Sequence, residues 1–262
     1  MKYAFLPPAI STVPVVVTGG TAAALFFPVH RIYCVGRNYA DHAIEMGGDP
    51  SREQPFFFAK PADAVVPCGC SSSSSDDTAT TKNIPYPLAT ADLHHEIELV
   101  LAIGRAGTEI DVADAGNYVY GYAIGVDLTR RDLQATAKAN GRPWCTAKGF
   151  DQSAPIGNIY PTATTLRATL LLQDSKSKNE LWLNVNGQRR QTGVPAKQMI
   201  WSVSEIISIL SHQFELRPGD LIFTGTPAGV AALQPGDRVT GGMDGLGELA
   251  FTVTPRREGK TD

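Results

Sequence analysis

Residues 93–104, LHHEIELVLAIG, decide the fold, because they combine a strand-like pattern with two glutamates two residues apart. Side chains alternate along a β-strand, so Glu96 and Glu98 are predicted to share one face. The same face continues with apolar side chains, and the opposite face is apolar apart from His95. Neither face is suited to water, and two buried like charges repel each other. The strand therefore requires a partner for its carboxylates.

A hard divalent cation would be such a partner. As same-face neighbours, Glu96 and Glu98 are predicted about 6.5–7 Å apart at their Cα atoms, close enough for both to reach one ion. An all-oxygen ligand set favours Mg²⁺, Mn²⁺ or Ca²⁺ over zinc. The alternative is an ordinary strand edge whose glutamates reach solvent, and the Glu-x-Glu pattern alone does not decide between the two.

A third carboxylate follows the next apolar strand, in the sequence YVYGYAIGVD. Asp127 ends this strand on the face that carries two glycines and an alanine, so there is room beside its side chain. A strand-end aspartate also serves as a helix cap, which is the alternative interpretation.

The helix after Asp127 is predicted to start near Thr129 and to close at Gly141. It carries Arg131, Gln134 and Lys138 at positions i, i+3 and i+7, which form one polar face. A solvated face accounts well for Lys138. The first two lie within a turn of the aspartate and can equally point into a site.

A short helix is predicted over residues 39–48, YADHAIEMGG. His42 and Glu45 are three residues apart and share a face, so the carboxylate can orient the imidazole and make it more basic. A general base that activates water has these properties. The glycines at 47 and 48 would allow the segment to move as a lid. On an exposed helix the same pair would be a surface contact of little energetic value.

Composition excludes several classes of function. The 262 residues include 23 basic and 26 acidic side chains, so there is no basic surface for nucleic acid or for a membrane. No apolar run has the length of a membrane span. The four cysteines are scattered and are predicted to be free thiols in a reducing compartment, which favours a cytoplasmic protein.

The organisation of the chain indicates an α+β, β-rich fold with few peripheral helices. A hairpin is predicted around Asn186-Gly187, the preferred type I′ turn pair, and Pro-Gly-Asp turns introduce two further strand regions. Ser202 and Glu205 have the spacing of a capping box and begin a helix. Residues 68–83, CGCSSSSSDDTATTKN, are predicted to be a low-complexity loop insertion. Many strands with few helices predict a roll or sandwich.

Six motifs together resemble the fumarylacetoacetate hydrolase superfamily, and within it the fumarylpyruvate and acylpyruvate hydrolase branch. They are RIYCVGRNYADHAIEMG, FFFAKPADAVV, LHHEIELVLAIG, GYAIGVDLTRRDLQ, GRPWCTAKGFDQSAPIG and GDLIFTGTPAGV. The resemblance runs from about Phe26 to about Val253. It implies a mixed β-roll formed by one catalytic domain over residues 29–255, preceded by a β arm over 1–28 and followed by a tail over 256–262. It also implies a homodimer.

The resemblance assigns a role to each candidate site residue. Glu96, Glu98 and Asp127 match the positions that bind Mg²⁺ or Mn²⁺. His42 and Glu45 match a catalytic dyad on a mobile lid. Lys148 and Gln134 match groups that polarise the carbonyl and hold the oxyanion. Arg131 and Thr226 match substrate-binding residues. Two further candidates for substrate contact are Arg37 and Lys60.

Two positions depart from animal fumarylacetoacetate hydrolase. A further metal-binding aspartate of that enzyme appears here as Val35, and a substrate-binding tyrosine appears as Arg37. The first difference leaves the three-carboxylate site intact. It favours smaller acylpyruvates over fumarylacetoacetate.

The expected reaction is hydrolysis of the C–C bond of a 2,4-dioxo acid, such as fumarylpyruvate or another acylpyruvate, to pyruvate and a second carboxylic acid. The same residues are compatible with oxaloacetate decarboxylation and with 2-oxo acid tautomerisation or hydration. The His42–Glu45 pair favours hydrolysis, because it provides a base for water. A non-enzymatic, metal-stabilised binding protein is the remaining alternative.

Overall fold

The computed structural model describes residues 3–17, 24–45, 53–69, 81–162 and 179–256. Most of the predicted low-complexity insertion, the predicted hinge glycines at 47 and 48, and nearly all of the predicted tail lie outside these ranges. Within them the protein is a β-rich α+β structure with five short α-helices, as the sequence predicts.

The strands of the described residues are β1 Thr12–Val15, β2 Leu25–Pro28, β3 Arg31–Gly36, β4 Phe56–Lys60, β5 Val65–Pro67, β6 Lys82–Pro85, β7 Leu93–His94, β8 Ile97–Ile103, β9 Val119–Val126, β10 Thr129–Arg130, β11 Ala154–Ile156, β12 Tyr160–Pro161, β13 Leu181–Val185, β14 Gln188–Gly193, β15 Asp220–Phe223, β16 Ala232–Leu233, β17 Arg238–Met243 and β18 Glu248–Thr254. The helices are α1 Ala40–Glu45, α2 Arg131–Ala139, α3 Cys145–Lys148, α4 Pro195–Gln198 and α5 Val203–Ser211.

Two curled sheets form the body of the molecule. The larger has eight strands in the order β4-β3-β15-β8-β9-β11-β5, with β12 paired to β9, and the second has the order β14-β13-β17-β18-β6. Both sheets are mixed, because β3–β15, β5–β11 and β6–β18 are parallel pairs among antiparallel ones. The fold class expected from the sequence is confirmed.

Strand β8 lies at the centre and is buried on both faces over its whole length. Ile97, Leu99 and Leu101 belong to the main apolar cluster, together with residues of the second sheet and of α5. Val100 and Ala102 belong to a second cluster on the other face, which includes side chains of the β1–β2 pair. The near-continuous apolar run of this strand follows from burial on both faces.

The prediction of one continuous strand over residues 93–104 is wrong at one point. The chain leaves the strand at His95 and Glu96, so that β7 and β8 belong to different sheets. β7 pairs with β10 and β16 in a small three-stranded sheet. From Ile97 onward the predicted alternation holds, and Glu98 lies on the face of Val100 and Ala102.

Local sequence signals explain most element boundaries. The capping box at Ser202 and Glu205 forms as predicted, and α5 begins at Val203. In the β13–β14 hairpin, Asn186 and Gly187 have φ values of 52° and 77°, as a type I′ turn requires. Helix α2 begins at Arg131 and not near Thr129, because Thr129 belongs to β10.

The predictions about cysteines and membrane spans can be compared with the structure only for the described residues. Cys34 and Cys68 are buried free thiols, and Cys145 is an exposed one, whereas Cys70 lies outside the described residues. Among the described residues, no helix is long and apolar enough to span a bilayer.

Candidate metal centre and active site

Three carboxylates converge at the centre of the large sheet. Glu96, Glu98 and Asp127 each offer an oxygen, and these oxygens lie within 4.8 Å of one another. Antiparallel pairing of β8 with β9 places Ile97 opposite Val126, so that the residues just outside each strand meet. The amide of Asp127 donates to the carbonyl of Glu96 at 2.8 Å. The strand registers therefore bring together the three acidic side chains that the sequence singled out.

The cluster is buried, with exposed fractions of 5%, 2% and 0% for Glu96, Glu98 and Asp127. Three cationic side chains surround it. Lys148 Nζ lies 2.7 Å from both Glu96 Oε2 and Asp127 Oδ2. Arg131 Nη2 lies 2.6 Å from Glu96 Oε1, and Lys60 Nζ lies 2.7 Å from Asp127 Oδ1. Glu96 and Asp127 are thus each paired with two cationic groups, and none of these ion pairs involves Glu98.

The pKa values of Glu96 and Glu98 shift in opposite directions. Burial opposes ionisation of Glu96, but the charges of Lys148 and Arg131 outweigh it and lower the pKa of this carboxyl. Burial raises the pKa of Glu98 well above its ordinary value, and the charges of Asp127 and Glu96 add to this. Glu98 is thus the member of the cluster that most lacks positive charge.

These residues fit a divalent cation. All three offer carboxylate oxygens, the donors that hard cations prefer. Each carboxylate has about four lone-pair positions, so its contacts with Lys148, Arg131 or a backbone amide do not exhaust its capacity. Among the described residues, Asp127 Oδ1 has no hydrogen-bond partner despite its approach to Lys60, because that contact has ion-pair distance without hydrogen-bond alignment. A positive ion beside Glu98 would also relieve the repulsion that raises its pKa.

The predicted His–Glu pair forms on α1. His42 Nδ1 lies 3.0 Å from Glu45 Oε2, and the imidazole is only 7% exposed. The carboxylate is held in turn by the amide of Gly229, at 3.1 Å from Oε1. His42 is therefore fixed by an acceptor that is itself anchored to the loop after β15.

One open cavity of about 50 Å³ connects the dyad with the carboxylates. Eight of the predicted site residues line it: Arg37, His42, Glu96, Glu98, Arg131, Gln134, Lys148 and Thr226. Glu45, Asp127 and Lys60 stand behind the wall, in contact with His42 or Lys148. The ammonium of Lys60, a candidate for substrate contact, is enclosed beside Asp127 and is not among the residues that line the described cavity.

The wall formed by α2 follows the predicted polar face. Arg131, Gln134 and Lys138 all line the cavity, and the guanidinium of Arg131 donates to Gln134 Oε1 at 2.5 Å. This contact, together with the ion pair to Glu96, fixes Arg131 at the border between the carboxylates and the open space. Lys138 belongs to the cavity as well, and the solvated-face interpretation missed this.

Sequence reasoning also missed an aromatic part of the wall. Phe58 and Trp144 line the cavity, with ring centroids 5.8 Å apart. Phe56 packs edge-on against Trp144 at 5.1 Å. Trp144 lies in the motif GRPWCTAKGF, and its proximity to Lys148 along the chain was the only signal for it. The apolar wall provides a surface for the carbon skeleton of a ligand.

Thr226 lies at the end of the cavity nearest to β8. Its hydroxyl donates to the carbonyl of Ile97 at 2.7 Å and accepts from Gln191 Nε2 at 2.8 Å. The preceding amide, of Gly225, donates to Glu98 Oε2 at 2.7 Å. The loop after β15 thus contacts the carboxylate cluster directly.

The fold and the site define a β-rich protein with a buried carboxylate cluster, suited to a divalent cation, beside a His–Glu pair. The chain belongs to the fumarylacetoacetate hydrolase family, since the family model described as "Fumarylacetoacetate (FAA) hydrolase C-terminal" matches residues 31–254. Its similarity to fumarylpyruvate hydrolases confirms the branch that the motifs indicate.

Known proteins similar to this chain have more than one activity. Oxaloacetate tautomerase FAHD1, a mitochondrial protein of Arabidopsis thaliana, is 42% identical over 86% of this chain and 92% of its own. The mitochondrial oxaloacetate decarboxylase of Dictyostelium discoideum is 39% identical over 87% and 95%. The crystal structure of fumarylpyruvate hydrolase from Pseudomonas aeruginosa, in complex with Mn²⁺ and pyruvate, is 46% identical with a TM-score of 0.83, over 97% and 100% of the chains.

Proposed function

We propose that this protein is a divalent-cation-dependent hydrolase that cleaves the C–C bond of 2,4-dioxo acids, with fumarylpyruvate or another acylpyruvate as substrate. The products are pyruvate and a second carboxylic acid. The observation that carries the proposal is that His42, oriented by Glu45, lines the same cavity as Glu96 and Glu98. A water-activating base beside a cation site is what hydrolysis of a chelating substrate requires.

Glu96, Glu98 and Asp127 would hold the cation, Mg²⁺ or Mn²⁺. Bound there, it supplies a Lewis acid for the 2-oxo acid end of the substrate. The Mn²⁺ and pyruvate complex of the Pseudomonas aeruginosa enzyme supports this assignment. Thr226 and Arg131 both line the cavity and are our proposed contacts for the substrate's carboxylate and oxo groups. For the Thr226 hydroxyl this requires its proton to turn from the Ile97 carbonyl to the substrate.

His42 takes the proton from water. Since Glu45 accepts at Nδ1, Nδ1 carries the hydrogen and Nε2 is the nitrogen left for the water. The hydroxide formed attacks the C4 carbonyl of the substrate. The C3–C4 bond then breaks, its electron pair leaves with the pyruvate enolate, and the proton held by His42 is returned to C3. Glu45 stabilises the imidazolium that forms, because its carboxylate stays in contact with the ring.

Lys148 and Gln134 stabilise the oxyanion of the tetrahedral intermediate. Burial opposes the charge of Lys148, but Asp127 and Glu96 outweigh it and raise the pKa of the ammonium, so that Lys148 is a cation at the cavity wall. Gln134 lines the same cavity, and because its Oε1 accepts from Arg131, its Nε2 is the donor proposed for the oxyanion. Removal of one such donor typically reduces the rate about 10²–10³-fold.

Oxaloacetate tautomerisation or decarboxylation is the second candidate. The two mitochondrial relatives with these names support it as strongly as the fumarylpyruvate hydrolase supports hydrolysis. Both reactions use a 2-oxo acid bound at a cation site, and neither needs a hydrolytic water. Tautomerisation needs proton transfer, for which His42 is again the available base.

A substrate comparison with the purified protein tests the proposal. Fumarylpyruvate, acetylpyruvate and oxaloacetate are assayed side by side with Mn²⁺, with Mg²⁺ and with EDTA. Cation-dependent release of pyruvate from either acylpyruvate at the higher kcat/KM supports hydrolysis. Conversion of oxaloacetate alone would replace the first candidate by the second. Cation binding without turnover of any of the three would identify a binding protein.

We also propose that the protein is a cytoplasmic homodimer. The resemblance of the motifs is the support for the dimer, and composition is the support for the location; mitochondrial relatives make the location a separate question. Light scattering of the purified protein measures the oligomeric state, and fractionation of the source cells measures the location.

A further inference from the structure

Gln191 on β14 connects two segments of the proposed site. Its side chain is 1% exposed and makes four polar contacts. Oε1 accepts from the amide of Ile97 at 3.1 Å and lies 2.8 Å from His95 Nδ1. Nε2 donates to Thr226 Oγ1 and to the carbonyl of Pro227, both at 2.8 Å. Every donor and acceptor position of this amide is occupied, so its orientation is fully determined.

The acceptor side of Gln191 fixes the backbone between the two glutamates. Ile97 is the residue between Glu96 and Glu98, and it begins β8 directly after the chain leaves β7. At this break the sheet does not supply a partner for the amide of Ile97, and Gln191 Oε1 takes that role. The spacing of the two carboxylates therefore depends on this hydrogen bond.

The donor side of Gln191 fixes the loop after β15. Thr226 receives its hydrogen bond and passes one on to the carbonyl of Ile97 at 2.7 Å. The amide of Gly225, in the same loop, donates to Glu98. One side chain thus links the carboxylate segment, the proposed substrate-binding threonine and the backbone between them in a closed network.

A β-bulge aims Gln191 inward. After the two-residue turn, regular pairing would place Arg190 opposite Leu183, but the register shifts and Leu183 pairs with Gln191. Cross-strand partners share a face, so Gln191 faces the interior beside a fully buried leucine. Bulges of this kind redirect a side chain.

The carbonyl of Arg190, the extra residue of the bulge, packs against Gly229. A Cβ at Gly229, which has a φ of 100°, would collide with that carbonyl. Gly229 also donates its amide to Glu45. The bulge therefore contacts the same loop that anchors the His–Glu pair.

We propose that Gln191 is a positioning residue that holds the cation-binding glutamates and Thr226 at a fixed separation. The cation and the substrate's carboxylate are then bound by one preorganised unit. The inference has a cation half, which concerns Glu96 and Glu98 and stands on the geometry of the carboxylates. Its substrate half concerns Thr226 and rests on the proposed function. Loss of a partner that orients metal ligands typically reduces metal affinity 10–100-fold.

Gln191→Met tests the cation half, because it preserves side-chain length and removes all four polar contacts. Binding of Mn²⁺ alone is measured by calorimetry on the full chain, with circular dichroism and thermal unfolding as checks of folding. Ser211→Ala is the matched control: Ser211 is 2% exposed, binds the amide of Ile110 at 2.9 Å and does not line the cavity. The expected result is a Kd for Mn²⁺ about tenfold higher in Gln191→Met and unchanged in the control. Equal Kd values in Gln191→Met and wild type overturn the proposal.

Two further variants complete the test. If Gln191→Met does not fold, Gln191→Asn, which keeps the amide but shortens its reach, is measured in the same way and is expected to raise the Kd. For the substrate half, KM is measured at Mn²⁺ concentrations that saturate every variant. Gln191→Met should then raise KM in the wild-type background and not in Thr226→Val, because both changes remove the same contact. Additive effects overturn this half. A protein without turnover contradicts the proposed function and leaves the Mn²⁺ result to decide the role of Gln191.

Discussion

The imidazole of His42 is held by Glu45, with Nδ1 and Oε2 3.0 Å apart, and only 7% of the histidine is exposed. His42→Ala is therefore expected to reduce kcat for fumarylpyruvate by about 10²–10⁴-fold, the usual contribution of a general base. Mn²⁺ affinity should stay at the wild-type level, because the carboxylate cluster is intact. Steady-state kinetics and calorimetry give the two values. Hydrolysis at the wild-type rate would show that another group is the base.

Glu45→Gln separates orientation from charge in the same pair. With its oxygen at the position of Oε2, the amide can still accept from His42 Nδ1 and, at the 3.3 Å contact, from the Gly229 amide, but the negative charge that stabilises the imidazolium is lost. We expect a smaller fall in kcat than in His42→Ala, with little change in KM. A decrease as large as that of His42→Ala would mean that the charge, and not the orientation, is the main contribution of Glu45.

Glu98 should make the protein less stable as pH rises when the cation is removed. Its pKa in the folded protein is raised above the ordinary value of 4.5, so the folded state retains a proton that the unfolded chain has released. The free energy of unfolding then decreases as pH rises from about 4.5 through the folded pKa. Glu98→Gln has no such proton, so in EDTA it should lose less stability than wild type over this range, as urea unfolding at several pH values would show.

Addition of Mn²⁺ provides the control for Glu98. The ion should stabilise wild type strongly and Glu98→Gln much less, since the variant lacks one of the three carboxylates. If the free energy of unfolding in EDTA falls with pH equally in wild type and in Glu98→Gln, the raised pKa assigned to Glu98 is contradicted.

Lys148→Met should destabilise the protein, because it leaves Glu96 and Asp127 without the ammonium that lies 2.7 Å from each. Loss of one partner of a buried ion pair costs about 3–5 kcal/mol, measured here as the free energy of unfolding in EDTA. Mn²⁺ should restore part of this loss, since it brings positive charge to the same carboxylates. Lys197→Met, at an exposed lysine, is the matched control. A loss in Lys148→Met no larger than in the control would refute the ion pairs.

Arg37→Gln should discriminate between substrates. Arg37 lines the cavity, with its guanidinium carbon 6.0 Å from the ring centroid of Phe56, and we expect it to pair with the distal carboxylate of fumarylpyruvate. A hydrogen bond to a charged group contributes about 1.5–3 kcal/mol, so kcat/KM for fumarylpyruvate should fall at least tenfold while that for acetylpyruvate changes little. Arg142→Gln, an exposed arginine outside the cavity wall, is the control. Equal losses for both substrates would exclude a contact with the distal carboxylate.

The sequence was sufficient to predict which residues form the carboxylate cluster. It was insufficient to predict the strand pairings and hydrogen bonds that position them. Glu96, Glu98 and Asp127 come together because two antiparallel strands end in register, a consequence of alternation and pairing that local patterns indicate. The break after His94 escaped prediction, since it depends on β7 pairing with strands distant in the sequence. Tertiary pairing overrides a local pattern in this way.

The inward orientation of Gln191 could not be predicted from the sequence either. In a regular hairpin its neighbour Arg190 would face Leu183, and the bulge that exchanges them leaves no mark in the residues QRRQ. Lys60 was predicted as a substrate contact, but its ammonium is enclosed beside Asp127, and this depends on the pairing of β3 with β4.

We infer an order of maturation from the cationic side chains that lie against the carboxylate cluster. Lys60, Lys148 and Arg131 neutralise the acidic centre with groups that the chain itself carries, so the polypeptide can reach its final shape while no ion is available. Loading is then a late and reversible step. The supply of manganese or magnesium in the cell would regulate how much of an already assembled population is active.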